Sequence, residues 1–401
     1  MKLLYLGCLC SDKIFNQIIE QGFLLSQAAY KLERQLISHF IDDNLIAKGD
    51  VTVLSSLPCG DNEIKVNEEY VGNVKIEYIW NNRNETSDLL RSWKMVRRKI
   101  CDWEKRTRNE DRIVLTYATD MVLLFPMLLC KYFHKDIKVV TICSEIPQFR
   151  NYSYTSNLKG FVFKTIYTFL NESMDGYIFL SKYMNEVCNR KNRPWIVVEG
   201  LPEIHEIQDV EEVSCEEEPR IVYAGGFDCG YGIEELLEAM SHVKHKSAQL
   251  LICGNGDLLE RIQQYERQNN NIHYLGVLPN NEVMQIEAKA AVLINPRKPD
   301  LMLTRYSFPS KTLEYFANGH AVSLITKLDG IPKEYYDYCF VLQKVTPEEI
   351  AEKIDSILDM PKEYRIAVAR KAYEFVKNEK SAKAQSKKVF EFVKLRSKNG
   401  N

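Results

Sequence analysis

"RIVYAGGFDCGYGIEELLEAM" (Arg220–Met240) is the stretch whose reading decides the fold. Ile221 to Ala224 form a short apolar run ending in glycine, which reads as a buried strand. Gly225, Gly226, Gly230 and Gly232 let the backbone bend sharply and approach a ligand closely. A helix from Ile233 to about His242 then follows. A strand, a glycine-rich turn and a helix form the first part of a βαβ unit. Such units build a parallel sheet covered on both faces. The turn is not G-x-G-x-x-G, because Gly230-Tyr231-Gly232 is followed by Ile233, Glu234 and Glu235, so a dinucleotide site is not indicated. A glycine-rich turn without a ligand is the alternative.

Downstream the pattern repeats. "AQLLICGNGD" (Ala248–Asp257), "IHYLGVL" (Ile272–Leu278), "AAVLINP" (Ala290–Pro296), "HAVSLIT" (His320–Thr326) and "YCFVLQ" (Tyr338–Gln343) read as strands. Helices lie between them, and helical segments close the chain over Pro347–Val376 and about Ser381–Ser397. Gly254, Asn255 and Gly256 make a second glycine loop, and the crossover at Leu275 offers open backbone groups to a flat base. In "RYSFPSKTLEYFANG" (Arg305–Gly319) Pro309 starts a helix and Gly319 stops it. Ser310, Lys311 and Thr312 put two hydroxyls and an ammonium where unpaired backbone N–H groups and the helix dipole favour an anion. Glu314 follows one turn on. A phosphate site next to a carboxylate within reach of sugar hydroxyls suits a nucleotide sugar. A capped core helix with a surface lysine accounts for the same residues.

Upstream, "KLLYLG" (Lys2–Gly7) reads as a first strand. Ser26 caps a helix with Ala29, Leu32, Leu36, Ile37 and Phe40 on one side, and "DVTVLSS" (Asp50–Ser56) is the second strand. "VKIEYIW", "RIVLTYA", "KVVTIC", "GYIFLS" and "WIVVEG" continue the series as far as Gly200. A helix over Asp88–Arg108 is basic on its polar side, which suits either a solvated face or an anionic membrane surface. "EIHEIQDVEEVSCEEEP" (Glu203–Pro219) is acidic and poor in large apolar residues, as a linker is. The expected organisation is α/β throughout. A Rossmann-like domain over 1–202 and a linker over 203–219 precede a second Rossmann-like domain over 220–380. A C-terminal helix over 381–401 is expected to pack back on the first domain. The default site is the cleft between the two domains, at strand ends.

Composition excludes several classes. The 401 residues are 45% apolar and 27% charged with a net charge of −2, so no general attraction to nucleic acid is indicated. The eleven cysteines are scattered without zinc-site spacing and read as reduced small apolar groups. "MVLLFPMLLC" (Met121–Cys130) falls short of the roughly 20 apolar residues that a spanning helix needs. The N-terminus lacks the features of a signal peptide. A cytoplasmic protein, at most peripheral on a membrane, is expected.

"YAGGFDCGYGIEELLEAM", "LLICGNGD", "IHYLGVLPNNEVMQIEAKAAVLINPR", "SFPSKTLEYFANGHAV" and "GIPKEYYDY" occur in that order. Together they resemble the nucleotide-sugar half of the retaining GT-B glycosyltransferases of the fourth sequence family. The YGI, FPSK and GIP-EYY elements, with "LSQAAYKLERQL" (Leu25–Leu36), resemble its bacterial branch that builds capsular and extracellular polysaccharides. The resemblance implies two Rossmann-like domains and transfer of a sugar, with retention, from a nucleotide-diphosphate sugar to a saccharide acceptor. That acceptor is expected to be lipid-linked. No cofactor and no metal are expected, and no Asp-x-Asp motif is present. Glu314 matches the second carboxylate of the family's Glu-x7-Glu pair, which holds the donor ribose. The first position is occupied by Tyr306. The cations that the family places in the first loop fall at Gly226 and Tyr231. Lys311, with Ser310 and Thr312, is the expected replacement, and Arg305 and Arg297 are further candidates. Ser26 and Glu145 are the acceptor-side candidates; Glu145 ends a strand and either bonds a sugar or caps a turn. A non-catalytic partner subunit and a sugar-nucleotide epimerase are the alternatives.

Overall fold

The computed structural model describes every residue except Leu24, Glu145 and the segments 60–65, 82–85, 118–119, 147–157, 208–217, 300–301 and 398–401. The chain divides into two compact units. Unit 1 is Met1–Leu201 together with the stretch from Ala382 onward, and unit 2 is Pro202–Ser381.

Unit 1 begins with β1 (Lys2–Gly7), α1 (Asp12–Glu20), α2 (Gln27–Asp42), β2 (Val51–Pro58), β3 (Glu68–Val71) and β4 (Val74–Asn81). It continues with α3 (Thr86–Thr107), β5 (Arg112–Tyr117), α4 (Met121–Phe133), β6 (Lys138–Cys143), α5 (Leu158–Glu172), β7 (Gly176–Phe179), α6 (Met184–Cys188) and β8 (Trp195–Val197). The sheet order is β3-β4-β2-β1-β5-β6-β7-β8. Every pairing is parallel except β3 with β4. Leu3, Leu4, Tyr5 and Leu6 of β1 are wholly buried, as a central strand covered on both faces requires. Ser11, Ser26 and Asp120 cap α1, α2 and α4 through their side chains. The α3 helix buries Val96, Ile100 and Trp103 and leaves Arg91, Lys94, Arg97 and Arg98 exposed.

The buried Glu33 of α2 reaches the end of β1. Its Oε2 accepts the Cys8 N–H at 2.9 Å and its Oε1 accepts the Cys8 thiol at 2.8 Å. A Cβ on Gly7 would stand 2.0 Å from the same carboxylate, so the glycine makes room for the acid. Burial raises the Glu33 carboxyl to about 7, with the Cys8 and Tyr5 hydrogen bonds opposing and Asp120 adding.

Unit 2 runs β9 (Arg220–Gly226), α7 (Ile233–His242), β10 (Gln249–Asn255), α8 (Leu259–Gln268), β11 (Ile272–Tyr274), α9 (Asn280–Ala288) and β12 (Val292–Asn295). Then follow α10 (Met302–Arg305), α11 (Lys311–Asn318), β13 (Val322–Thr326), β14 (Phe340–Leu342), α12 (Pro347–Leu358) and α13 (Lys362–Phe375). Its sheet is wholly parallel, in the order β11-β10-β9-β12-β13-β14. The helical segments expected over Pro347–Val376 are two helices, which meet at Pro361. On the linker side, Tyr373 donates to the His205 carbonyl at 3.1 Å and Ile207 packs against Gly319. The chain then returns to unit 1 with α14 (Ala382–Ser397), which packs on α2, β5 and β6 and buries Val389, Phe390, Phe392 and Val393.

Candidate functional site

The strand order of unit 2 reverses between β9 and β12, with β10 and β11 on one side and β13 and β14 on the other. In open parallel sheets the crevice beyond the strand ends at such a switch point is where ligands bind. Only Val292 and Leu293 of β12 pair with β9. Beyond them the strands part, and the buried Tyr315 of α11 fills the gap. Its hydroxyl accepts the Ala224 N–H at 3.1 Å and donates to the Ile294 carbonyl at 3.4 Å.

The loops around this crevice are held by contacts that only glycine permits. Gly254 and Gly225 are register partners on β10 and β9. Gly254 has φ +136°, and a Cβ there would meet the Gly225 carbonyl oxygen at 1.9 Å. Asn255 accepts the Gly256 N–H through its side chain at 2.9 Å, and its carbonyl accepts the Phe227 N–H at 3.1 Å. Leu275 donates its N–H to Ile252, and Gly276 receives that of Gly254. Gly232 starts α7 in the left-handed region, and its Cα faces the Pro296 carbonyl so closely that a Cβ would lie 1.9 Å from the oxygen. The three glycine-bearing loops and the end of β12 thus form one connected rim.

Tyr231 lies over this rim. Its ring covers Gly226, where a Cβ would be 3.2 Å from the ring edge. The Arg297 guanidinium stands 5.0 Å above the same ring. Tyr223 donates to the Gly226 carbonyl at 2.6 Å. Tyr306 is half-buried in the segment before α11. That segment rests on Gly330, where a Cβ would be 2.3 Å from the Ser307 carbonyl and 2.6 Å from that of Thr304. Phe308 packs on Tyr335, which also contacts Phe316 and Phe375. The FPSK and GIP-EYY elements therefore meet as an aromatic cluster that holds the approach to α11.

At α11 the geometry differs from the expectation of open N–H groups. Thr312 donates its N–H to Pro309, and Leu313 and Glu314 donate theirs to Ser310. Ser310 is exposed and makes no side-chain cap, and Thr312 is wholly buried. Lys311 Nζ donates to Glu314 Oε2 at 2.7 Å and lies 4.0 Å from Oε1 of the buried Glu287 of α9. Burial pulls the Lys311 ammonium down, but Glu314 and Glu287 outweigh it and hold its pKa above the ordinary lysine value. Burial pushes the nearby Cys253 thiol up to about 11, with Glu287 adding and Lys311 opposing. The sequence reading did not identify Glu287 or Tyr315. Both lie within the quoted stretches, but each acts through a tertiary contact that the motif spacing does not reveal. Of the two residues expected to meet an acceptor, Ser26 is the side-chain cap of α2, accepting the Ala29 N–H at 3.2 Å, and Glu145 lies outside the described residues.

The fold is that of the GT-B glycosyltransferases, two Rossmann-like α/β units in one chain. Residues 205–375, within unit 2, match the family model Glycosyl transferases group 1. A comparison with curated proteins finds no match. Among solved structures, the chain is similar to sucrose-phosphate synthase from Thermosynechococcus elongatus. The TM-score is 0.65 and the identity 12%, over 98% of each chain. A trehalose-6-phosphate structure from E. coli, bound with UDP-2-fluoro glucose, matches with a TM-score of 0.67 at 11% identity, over 98% of this chain and 99% of that one. HepE from Anabaena in complex with UDP-glucose matches with a TM-score of 0.64 at 12% identity, over 98% and 99%. Among the described residues no helix is long and apolar enough to cross a membrane.

Proposed function

We propose that the protein transfers a sugar from a nucleotide-diphosphate sugar to a saccharide acceptor. The observation that carries this reading is the switch-point crevice of unit 2, where glycine loops, Arg297 and the Lys311–Glu314 pair surround the ends of β9 and β12. The match of residues 205–375 to group 1 glycosyl transferases, and the UDP-glucose held by HepE, support a nucleotide sugar as the donor.

The chemistry asked of the site is stabilisation of charge on a leaving nucleoside diphosphate. Lys and Arg groups provide it without a metal. In this reading Glu314 turns from Lys311 to a donor ribose hydroxyl, and the freed ammonium meets the phosphate. Ser310 completes the approach from its exposed position. The anomeric configuration is retained, with the departing phosphate receiving the acceptor proton on the same face. Unit 1 takes the acceptor, a lipid-linked saccharide of a cell-surface polysaccharide, at the inner face of the membrane. The exposed basic side of α3 supports contact with anionic headgroups.

A thermal-shift panel of UDP-, GDP-, ADP- and dTDP-sugars tests the donor assignment. One donor at concentrations well above its Kd is expected to raise the melting temperature, because it binds only the native state. No shift with any of them at 1 mM, together with no donor hydrolysis, would reject it.

A further inference from the structure

The first glycine loop carries no basic residue between Ala224 and Gly232, and its one charged group is the exposed Asp228. Lys311 is held by Glu314 and Glu287. Lys298 is bound to Glu235 at 2.5 Å. Arg297 differs from both lysines. Among the described residues no carboxylate pairs with it, and its buried Nε has no hydrogen-bond partner. A buried N–H left without an acceptor is costly unless something supplies one.

Its position is closely fixed. Pro296 before it is locked against Gly232, and Lys298 after it donates its N–H to the Gly230 carbonyl at 2.9 Å. The guanidinium lies over the Tyr231 ring, and the ring lies over Gly226. The result is a planar cation already held over an aromatic ring at the end of β12, and that ring lies against backbone that has no Cβ. A planar fork of N–H donors matches phosphate oxygens two at a time, as a lysine ammonium does not.

We infer that Arg297, held over the Tyr231 ring at the end of β12, is a second cation that binds the diphosphate of the nucleotide donor, beside Lys311. The inference rests on the proposed donor site in unit 2. It gives Tyr231 a definite part, that of a platform that orders the guanidinium before the ligand arrives and lowers the entropy lost on binding.

The test is calorimetric titration of the full chain with UDP, GDP, ADP and dTDP, at low and at 0.3 M salt. For the diphosphate that the native protein binds, Arg297→Gln is expected to raise Kd by at least about tenfold and to reduce the salt sensitivity of binding. Arg297→Lys is expected to recover part of the loss, and Tyr231→Leu to weaken binding about 3–10-fold by removing the platform. Melting curves show that each variant is folded, and Arg297→Lys carries the test if Arg297→Gln is not. A Kd within twofold of the native value in a folded Arg297→Gln overturns the role of Arg297 and leaves the donor site standing. Failure of the native protein to bind any of the four at 1 mM removes the donor site and this inference with it.

Discussion

Lys311 and Glu314 form a direct ion pair at 2.7 Å, with Glu287 close behind, so their two roles cannot be independent. In the proposed reaction a phosphate draws the ammonium away, and Glu314 is released to accept from a hydroxyl. Substituting either residue leaves the other with an altered partner. Lys311→Ala is expected to lower turnover by about 10²-fold, as loss of a charge partner in the transition state does. Glu314→Gln is expected mainly to weaken donor binding. Combined, the two are expected to cost less than their sum, with a coupling of about 0.5–3 kcal/mol from a double-mutant cycle on kcat/KM. Strict additivity would show that the pair does not act as a unit. The i,i+3 spacing of Lys311 and Glu314 is legible in the sequence, and such residues are neighbours on a helix surface. Glu287 is not, because it arrives from a different helix and only the fold brings it within 4.0 Å.

At the scale of elements, Tyr315 decides how β9 and β12 separate. Its hydroxyl serves the backbone of two strands, a role that the sequence around it does not signal. Tyr315→Phe keeps the ring and leaves the Ala224 N–H buried without an acceptor. The expected cost is about 1–3 kcal/mol of unit 2 stability, measured by denaturant unfolding followed at unit 2. A cost near zero would mean that the opened strand ends recruit water in place of the hydroxyl. Most β-strands of both units are legible because apolar runs bounded by glycine or polar residues mark them, although several end earlier than the runs suggest, as β11 does at Tyr274. Other features are not. The β3 strand alternates exposed and half-buried residues in an acidic segment, so it carries no apolar signal. The α4 helix contains Pro126, and its apolar run was weighed only as a membrane span. In the opening turn of α11, helical periodicity locates the helix but does not say which carbonyls take its first N–H groups.

At the scale of the whole molecule, the two units carry separate cores, and pH should act on them unequally. The Glu33 carboxyl belongs to unit 1 and is raised from 4.5 to about 7 in the folded state. Between those values the folded chain holds a proton that the unfolded chain has lost. Stability from this group is therefore fully present below about pH 4.5 and falls as pH rises to about 7, by on the order of 3 kcal/mol, and is level above that. Asp12 and Asp136, whose pKa values are lowered, act in the opposite sense and at lower pH. Glu33→Gln is expected to flatten the unit 1 melting temperature between pH 5 and pH 7.5 and to leave unit 2 unchanged. Persistence of the slope in the variant would show that another group carries it. The βα alternation made both domains legible in sequence. A carboxyl seated in the space left by Gly7 was not, because Gly7 and Glu33 are far apart in the chain.

The return of α14 to unit 1 also sets an order of events during synthesis. Unit 2 is continuous in sequence and is complete once Ser381 has emerged, whereas unit 1 waits for the last helix. At about 5–20 residues per second, roughly 10–40 s separate the emergence of Leu201 from that of Ser397. Through that interval the face of α2 that later receives Phe390 on Phe40 stays uncovered. The nascent chain thus carries a complete unit 2 and an unfinished unit 1 with an exposed apolar face. That interval is when chaperones and premature association compete for it.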